Sequence, residues 1–234
     1  KKEAEILDAK TLRAAFPHTI PVLTGYLFLG FAYGLLMRNA GYPVWLAVLC
    51  SLAVYAGAAQ YAAVPMLGVF DPAGTFLLAL MLNARHVFYG LSMLERYREA
   101  GKSKPYLIFS LTDETYSILV STPPPSGVEA QRFWLAVSAL NQMYWVVASA
   151  AGALLGAALP FDTRGVDFVM TALFVTMFTE QWLQTGEHRP ALIGLGTSVL
   201  CLVLFQTNFI VPAMVMIVVL LLVGQNHMEG GAEA

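Results

Sequence analysis

The sequence FLLALMLNARHVFYG, residues 76–90, lies inside an apolar segment covering 72–94 and indicates the fold class of the chain. About 20 apolar residues are enough for a helix to cross a hydrocarbon layer of roughly 30 Å, so this segment predicts a membrane-spanning helix. Asn83, Arg85 and His86 lie at its middle, where a lone arginine costs about 2.5–3.5 kcal/mol on insertion scales. The sequence therefore predicts that another residue uses or neutralises the charge of Arg85.

The composition of the whole chain supports a membrane protein. Of its 234 residues, 58% are hydrophobic and only 12% are charged, whereas soluble domains carry about 25% charged residues. The apolar runs are too long for barrel strands and lack their alternation, so the fold class is an all-α polytopic membrane protein. The net charge of −2 indicates no nucleic acid partner. Cys50 and Cys201 lie in apolar runs and are interpreted as core residues rather than a disulfide.

The chain divides into a short start, one membrane domain and a tail. Residues 1–17 combine basic and apolar side chains and predict an interfacial segment, with a solvated tail as the alternative. Residues 18–224 form the transmembrane domain, and 225–234 form the C-terminal tail. Breaks at proline, glycine and charged residues divide the domain into seven or eight candidate crossings: 18–37, 44–68, 72–94, 105–121, 133–159, 166–183, 190–206 and 209–224.

The distribution of basic residues favours two segments that do not cross. If all eight segments cross, the basic residues outside the membrane divide evenly between its two faces, against the positive-inside bias. If 44–68 and 166–183 enter and return on the same side, ten of these residues share one face, and only Arg38 and Arg132 lie opposite. The sequence therefore favours this re-entrant arrangement.

A faint internal repeat is consistent with that arrangement. The glycine pair Gly30 and Gly34 recurs as Gly152 and Gly156, at an offset of 122. The offset indicates two halves, 18–94 and 133–209, joined by 105–121 and inverted relative to each other, a plan that recurs among transporters with broken helices. The alternative is that these glycines only let two helices pack closely.

The segment 105–121 carries two adjacent acids, Asp113 and Glu114, at its middle. They point about 100° apart on a helix, so one can pair with Arg85. The other can hold a proton, because burial favours the neutral form of a carboxyl group. A protonatable acid near His86 is suited to proton coupling. The alternatives are a structural Arg–Asp pair that fixes helix register and a histidine that only bonds a neighbour.

Two further groups of polar residues stand out. Asn83 and His86 are three residues apart and share a helix face, which favours a role for both side chains in the same site. The stretch 54–63 is rich in small residues and contains one amide, Gln60. It is interpreted either as a helix-packing surface or as a helix break at Gly57 that lines a substrate path with Gln60 as a contact.

Other chemistries are poorly supported. His86, Asp113 and Glu114 do not have the spacing of a known metal site, and no Walker loop is present. No nucleophile-elbow motif is present, so the chain is not expected to be an enzyme, with an intramembrane hydrolase as a remote alternative. No cofactor is expected.

Three tetrapeptides in order, Gly57-Ala-Ala-Gln60, Asn83-Ala-Arg-His86 and Thr112-Asp-Glu-Thr115, resemble those of the AzlC family, the large subunits of bacterial branched-chain amino acid exporters. The resemblance covers roughly 16–224. It implies a multi-pass protein of the bacterial inner (plasma) membrane, surrounded by lipid. It also implies proton-driven export of leucine, isoleucine, valine and a further candidate, methionine, together with a separately encoded small membrane subunit of the AzlD type.

The candidate site residues suit an amino acid zwitterion, which needs a cation for its carboxylate and an acceptor for its ammonium group. Arg85 and Asp113 are assigned these two roles, and the remaining predicted substrate contacts are Asn83, Gln60, Gly57 and Tyr55, with Phe88 and Tyr116 as further apolar walls. Glu114, Asp113 and His86 are the candidates for proton coupling. A passive channel and a membrane scaffold that transports nothing remain the alternative functions.

Overall fold

The computed structural model describes residues 8–69, 71–158, 168, 171–172, 175–176, 178–179, 182–183, 186, 188–206, 209, 212–213, 215–217 and 219–220. All regular structure in these ranges is helical. The helices with defined bounds are α1 Ala9–Asn39, α2 Val44–Ala53, α3 Gly57–Ala63, α4 Pro72–Met93, α5 Lys104–Phe109, α6 Asp113–Ser121, α7 Ala130–Ala158 and α8 Arg189–Phe205, with short 3₁₀ turns at Val64–Met66 and Gly101–Ser103.

The chain divides into two compact units, which are described separately. The first unit comprises Lys1–Phe70 and Leu82–Thr171, and the second comprises Asp71–Met81 and Ala172–Ala234. Two described helices, α1 and α4, are long and apolar enough to cross a membrane. The structure thus supports the all-α membrane fold, while the described residues do not establish seven or eight crossings.

Helix α1 begins at a capping residue and continues further than the sequence suggested. Asp8 accepts a hydrogen bond from the Thr11 backbone N–H at 2.8 Å, and hydrogen bonding to Thr11 holds the pKa of the Asp8 carboxyl below its usual value. The helix then passes through Pro17 and Pro21 without a break. Residues 9–17, predicted as an interfacial segment, therefore share one helix with the first apolar segment.

The next segment is a helical hairpin that doubles back on itself. Helix α2 stops at Ala53, residues 54–56 are not helical, and α3 starts at Gly57, directly after the predicted break. The chain then returns toward its starting point, because a Cβ on Gly68 would lie 3.3 Å from the hydroxyl of Tyr42, which lies just before α2. We call residues 44–66 the first hairpin.

A second hairpin follows helix α4 and corrects the prediction of one span over 105–121. Helix α5 ends at Phe109, and α6 begins at Asp113 with Thr112 as its N-cap, whose hydroxyl accepts from the Thr115 N–H. A capping threonine followed by two acids is a helix start, although the hydropathy of the segment runs through it. We call residues 104–121 the second hairpin.

Both ends of the second hairpin lie at the same end of the first unit. Gln131 Nε2 donates to Ser103 Oγ at 3.1 Å, just before the hairpin starts. Arg96 Nη1 donates to the Leu119 carbonyl at 2.7 Å, close to where the hairpin finishes. The segment therefore enters and returns, while its tip meets the tip of the first hairpin, where the rings of Tyr55 and Phe109 lie 6.2 Å apart.

Helices α1 and α7 run parallel. Lys10 Nζ donates to the Gly127 carbonyl at 3.2 Å just before α7, Thr19 and Tyr144 hydrogen-bond at 2.9 Å, and Gly156 approaches Arg38. The antiparallel arrangement that the inverted halves 18–94 and 133–209 require is therefore wrong for these two helices. The physical reason is that the joining segment 105–121 returns instead of crossing.

The same topology moves one basic residue to the other end of the unit. Arg132 lies in the first turn of α7, which begins beside the start of α1, where Lys10 contacts Gly127, so its predicted position opposite the N-terminus is wrong. We call this end of the first unit the basic end, and Arg38 lies at the opposite end. The described basic residues of the basic end are Lys10, Arg13, Arg96, Arg98, Lys102, Lys104 and Arg132.

The contact between α1 and α7 depends on glycine. A Cβ on Gly34 would collide with the backbone of Ser149 and Ala153, and a Cβ on Gly152 would collide with the carbonyl of Phe31. Gly30 and Gly156 face the same contact. The glycine pairs that suggested a repeat thus form the two sides of one close helix–helix contact.

In the second unit, α8 buries Thr197 and Cys201, and the Cys201 thiol lies 3.7 Å from the Met216 sulfur. Cys201 is therefore a free core cysteine, and Cys50 is free and partly buried. Residues 1–7, 207–208 and 225–234 lie outside the described residues, as do half of the residues in each of the segments 166–183 and 209–224.

Candidate functional site

The predicted partner of Arg85 is present at the tip of the second hairpin. Arg85 Nη2 on α4 lies 2.8 Å from Asp113 Oδ2 at the start of α6, with side-chain exposures of 24% and 37%. The guanidinium is not used up by this pair, because its buried Nε makes no hydrogen bond to any described residue. The site therefore holds one ion pair that also offers a further donor.

An aromatic stack supports the carboxylate of this pair. The Tyr89 hydroxyl donates to Asp113 Oδ1 at 2.8 Å, and the Tyr89 ring stacks on Tyr116 with centroids 4.3 Å apart and planes 10° apart. Ser92 Oγ donates to the Tyr116 hydroxyl at 3.0 Å. Both oxygens of Asp113 are thus occupied, one by a cation and one by a phenol.

His86 and Asn83 lie on the same helix but meet through the backbone. The His86 Nδ1 atom lies 3.3 Å from the backbone oxygen of Asn83, and its ring packs edge-on against Tyr89. Because Tyr89 also donates to Asp113, His86 is linked to this acid through Tyr89. The side chain of Phe88 is 69% exposed, so its predicted role as a pocket wall is not supported within the first unit.

Glu114 has a different set of partners from its neighbour Asp113. The hydroxyl of Tyr26 on α1 donates to Glu114 Oε2 at 2.7 Å and lies 2.9 Å from Thr112 Oγ1. Thr112 in turn donates to Thr115 Oγ1 at 3.1 Å. The two adjacent acids therefore face different surroundings, as the 100° separation on a helix predicts.

The first hairpin brings Gln60 and Gly57 against Trp145 of α7. Trp145 Nε1 donates to Gln60 Oε1 at 2.9 Å, and Gln60 Nε2 donates to Ser51 Oγ at 3.2 Å, so both ends of the buried amide are engaged. A Cβ on Gly57 would lie 3.2 Å from the Trp145 ring. These contacts support the packing alternative for Gln60 and Gly57, and their role as substrate contacts stays a prediction.

Tyr55 occupies the tip of the first hairpin in an unusual conformation. Its φ of 44° lies in the left-handed region, which costs free energy for a residue with a Cβ. Its buried hydroxyl lies beside Tyr26 and Thr115 and within electrostatic range of Glu114, yet completes no hydrogen bond within the described chain. Backbone strain of this kind persists where surrounding contacts enforce it, often at functional sites.

Helix α7 supplies two polar residues that the sequence reasoning left without a role. Asn141 is fully buried, and its Nδ2 donates to Thr115 Oγ1 at 3.0 Å. Gln142 joins both hairpins, because its Nε2 donates to the Leu52 carbonyl at 3.2 Å and its Oε1 accepts from Tyr106 at 2.8 Å. Two consecutive amides inside an apolar segment were the only signal in the sequence that pointed to them.

The ionisable groups of the site form an acid–base cluster. Among the described residues, no group of three or more His, Cys, Asp or Glu side chains is placed to hold a metal ion. The site offers one cation, two carboxylates and several hydroxyl groups at the place where two interrupted helices meet. Such a set can bind a zwitterion, and its carboxyl groups can bind and release a proton.

Comparison with known proteins gives one family. Residues 21–159 match the AzlC protein family. The branched-chain amino acid transport protein AzlC of Bacillus subtilis is 45% identical over 93% of this chain and 86% of that protein. An uncharacterized membrane protein of Helicobacter pylori is 39% identical over 94% of this chain and 97% of its own length, and the inner membrane protein YgaZ of Escherichia coli is 28% identical over 68% of each. No solved structure matches.

Proposed function

The chain belongs to the AzlC family, and from that membership we propose that it is a secondary transporter that exports branched-chain amino acids. Leucine, isoleucine and valine are the proposed substrates, with methionine as a further one. The relative from B. subtilis carries branched-chain amino acid transport in its name. Export, proton coupling and a small AzlD-type membrane subunit are the finer parts of this proposal.

One observation carries the proposal: the Arg85–Asp113 ion pair lies where a membrane-length helix meets the break of the second hairpin. An amino acid zwitterion presents the two charges of this pair in a single small molecule. Its carboxylate fits the guanidinium of Arg85, and its ammonium fits the carboxylate of Asp113. A few convergent polar groups beside apolar walls are the usual form of a small-molecule site.

The pair also explains how an empty carrier can reorient. Without substrate, Arg85 and Asp113 neutralise each other, which limits the cost of charge inside a membrane. When the zwitterion binds, its carboxylate replaces Asp113 as the partner of Arg85, and its ammonium group replaces Arg85 as the partner of Asp113. The net charge of the site is unchanged, so the empty and the loaded carrier face similar electrostatic barriers.

The two hairpins supply the elements that open and close the path. They start from opposite ends of the first unit, and their tips meet at Tyr55 and Phe109. Discontinuous helices at mid-depth are a common plan for substrate and ion sites in transporters. We assign the second hairpin to the side of the basic end and the first hairpin to the opposite side.

The basic end sets the orientation that we propose. Seven of the eight described basic residues outside Arg85 in the first unit lie there, against Arg38 at the opposite end. Lys and Arg accumulate on the cytoplasmic side of membrane proteins. We therefore place the basic end in the cytoplasm of a bacterial cell, in a multi-pass protein of the inner membrane.

The test is transport in proteoliposomes that contain the chain together with its small membrane subunit. Wild type should catalyse counterflow of labelled leucine and should accumulate leucine in response to a pH gradient. Arg85→Ala should abolish both, and Glu99→Gln, an exposed acid outside the site, serves as the matched control.

The same measurement separates the alternatives. A channel would show leucine flux without counterflow, and a scaffold would show no flux from an intact complex. An active, correctly inserted Arg85→Ala variant would refute the role of Arg85 in binding the substrate carboxylate.

A further inference from the structure

The two adjacent acids of the second hairpin differ in the charge of their partners. Asp113 is paired with the guanidinium of Arg85 at 2.8 Å and accepts from Tyr89 at 2.8 Å. Glu114 accepts from the neutral hydroxyl of Tyr26 at 2.7 Å. Asp113 therefore forms an ion pair, whereas the partly buried Glu114 makes its hydrogen bond with a neutral hydroxyl.

A chain of hydrogen bonds leads away from Glu114 into the core. It runs from Glu114 to Tyr26, then to Thr112, Thr115 and Asn141, with successive distances of 2.7, 2.9, 3.1 and 3.0 Å. The last four residues are each at most 6% exposed. None of these four carries a charge, so the chain contains no ion pair and can relay a change in donor direction.

The charged and titratable groups around Glu114 come from several elements. Tyr26 faces it from α1, Tyr55 from the first hairpin, His86 from α4, and Asp113 from its own helix. The guanidinium of Arg85 is already engaged by Asp113. Helix α7 contributes Asn141 to the same network through Thr115.

We propose that Glu114 is the group that binds and releases the transported proton, while Asp113 stays ionised as the counterion of Arg85, and that Tyr26 is a positioning residue for this step. The assignment rests on the proposed transport function. The sequence left open which of the two acids pairs with Arg85 and which one carries the proton, and the assignment gives one role to each.

The step balances as a single proton exchange. A proton from the aqueous phase binds the carboxylate of Glu114, and the neutral acid no longer requires the hydrogen of the Tyr26 hydroxyl. That hydroxyl turns and donates to Thr112 Oγ1, which already donates to Thr115. Release of the proton on the other side reverses the two movements. The direction of the Tyr26 hydroxyl thus couples the protonation of Glu114 to the hydrogen bonding of Thr112, where the second hairpin is interrupted.

The transport test compares two isosteric variants in proteoliposomes. Glu114→Gln should lose accumulation driven by a pH gradient, while leucine counterflow persists with a flat pH profile. Asp113→Asn should lose both activities. Tyr26→Phe should keep accumulation but shift the midpoint of the pH profile, whereas Tyr144→Phe, which removes another buried tyrosine hydroxyl, should not. Gradient-driven accumulation by Glu114→Gln would overturn the proposal.

A second measurement needs no substrate. Infrared difference spectra between acidic and alkaline pH should show the carbonyl stretch of a protonated carboxyl group. That band should disappear in Glu114→Gln, return at a shifted midpoint in Glu114→Asp, and remain in Asp113→Asn. Loss of the band in Asp113→Asn with retention in Glu114→Gln would overturn the assignment. Absence of leucine transport in wild type would refute the proposed function, while the infrared titration would still decide for or against Glu114.

Discussion

At the scale of single residues, the chain separates two carboxylates that are adjacent in sequence. Asp113 is held by Arg85 and Tyr89, and Glu114 by Tyr26. The sequence alone predicted the partnership of Arg85 with an acid, because an arginine in mid-membrane requires compensation. It did not predict Tyr26 or Tyr89, because a tyrosine in an apolar helix looks the same whether its hydroxyl is bonded to an acid or lies at an interface.

The hydrogen bond from Tyr89 to Asp113 gives a prediction at this scale. Tyr89→Phe keeps the ring on Tyr116 but removes the donor that orients the carboxylate. A hydrogen bond to a charged group is worth about 1.5–3 kcal/mol, and partial exposure of Asp113 favours the lower end of that range. We expect KM for leucine to rise about tenfold, measured as initial rates in proteoliposomes.

The control for this variant is Tyr144→Phe, whose hydroxyl bonds Thr19 and touches neither acid. It should leave KM near the wild-type value. An unchanged KM in Tyr89→Phe would show that Asp113 does not depend on this contact for binding.

At the scale of elements, two apolar segments fold as hairpins instead of single helices. A break at Gly57 was one of the two interpretations of the stretch 54–63, and α3 begins at that residue. The second break was missed, although Thr112-Asp113-Glu114 is an N-cap with acids in the first turn, because apolar residues on both sides of it favoured a continuous helix. Gln142 of α7 then ties the two hairpins together, a role that required the tertiary structure to be seen.

The close contact between α1 and α7 gives a prediction for an element. Gly34→Ala places a methyl group against the backbone of Ser149, which cannot rotate away. Overpacking of this kind costs about 1–3 kcal/mol, more than the helix propensity gained by replacing glycine, about 1 kcal/mol. We expect a lower Tm for the detergent-solubilised protein.

Gly25→Ala is the matched control in the same helix, because a Cβ there meets nothing within 4 Å. It should hold or raise Tm. Equal Tm values for the two variants would contradict the close approach of α1 and α7.

At the scale of the whole molecule, the doubling back of 104–121 decides which loops share a side of the membrane. With this segment returning, the loops before and after it both lie at the basic end, together with the start of α1. Among the described basic residues of the first unit outside Arg85, seven then lie at the basic end and Arg38 lies opposite, and α1 and α7 are parallel.

Cysteine labelling in intact cells tests this topology. In a background with Cys50→Ala and Cys201→Ala, single cysteines are placed at the exposed positions Glu99, Ser126 and Ala40. An impermeant maleimide added outside should label Ala40→Cys, while Glu99→Cys and Ser126→Cys should react only after the cells are opened. Opposite behaviour of Glu99→Cys and Ser126→Cys would show that 105–121 crosses the membrane.

Composition, motifs and the cost of a buried charge were sufficient to predict the helical membrane character, the family, and the need for an acid beside Arg85. That 105–121 returns was visible only in the folded protein, because its 17 residues reach about 25 Å as a helix and have the same hydropathy whether they cross or double back. The tertiary structure also decided which acid meets the cation, because the partners of Asp113 and Glu114 come from α4 and α1. Contacts between segments so far apart in the chain leave no mark on local sequence.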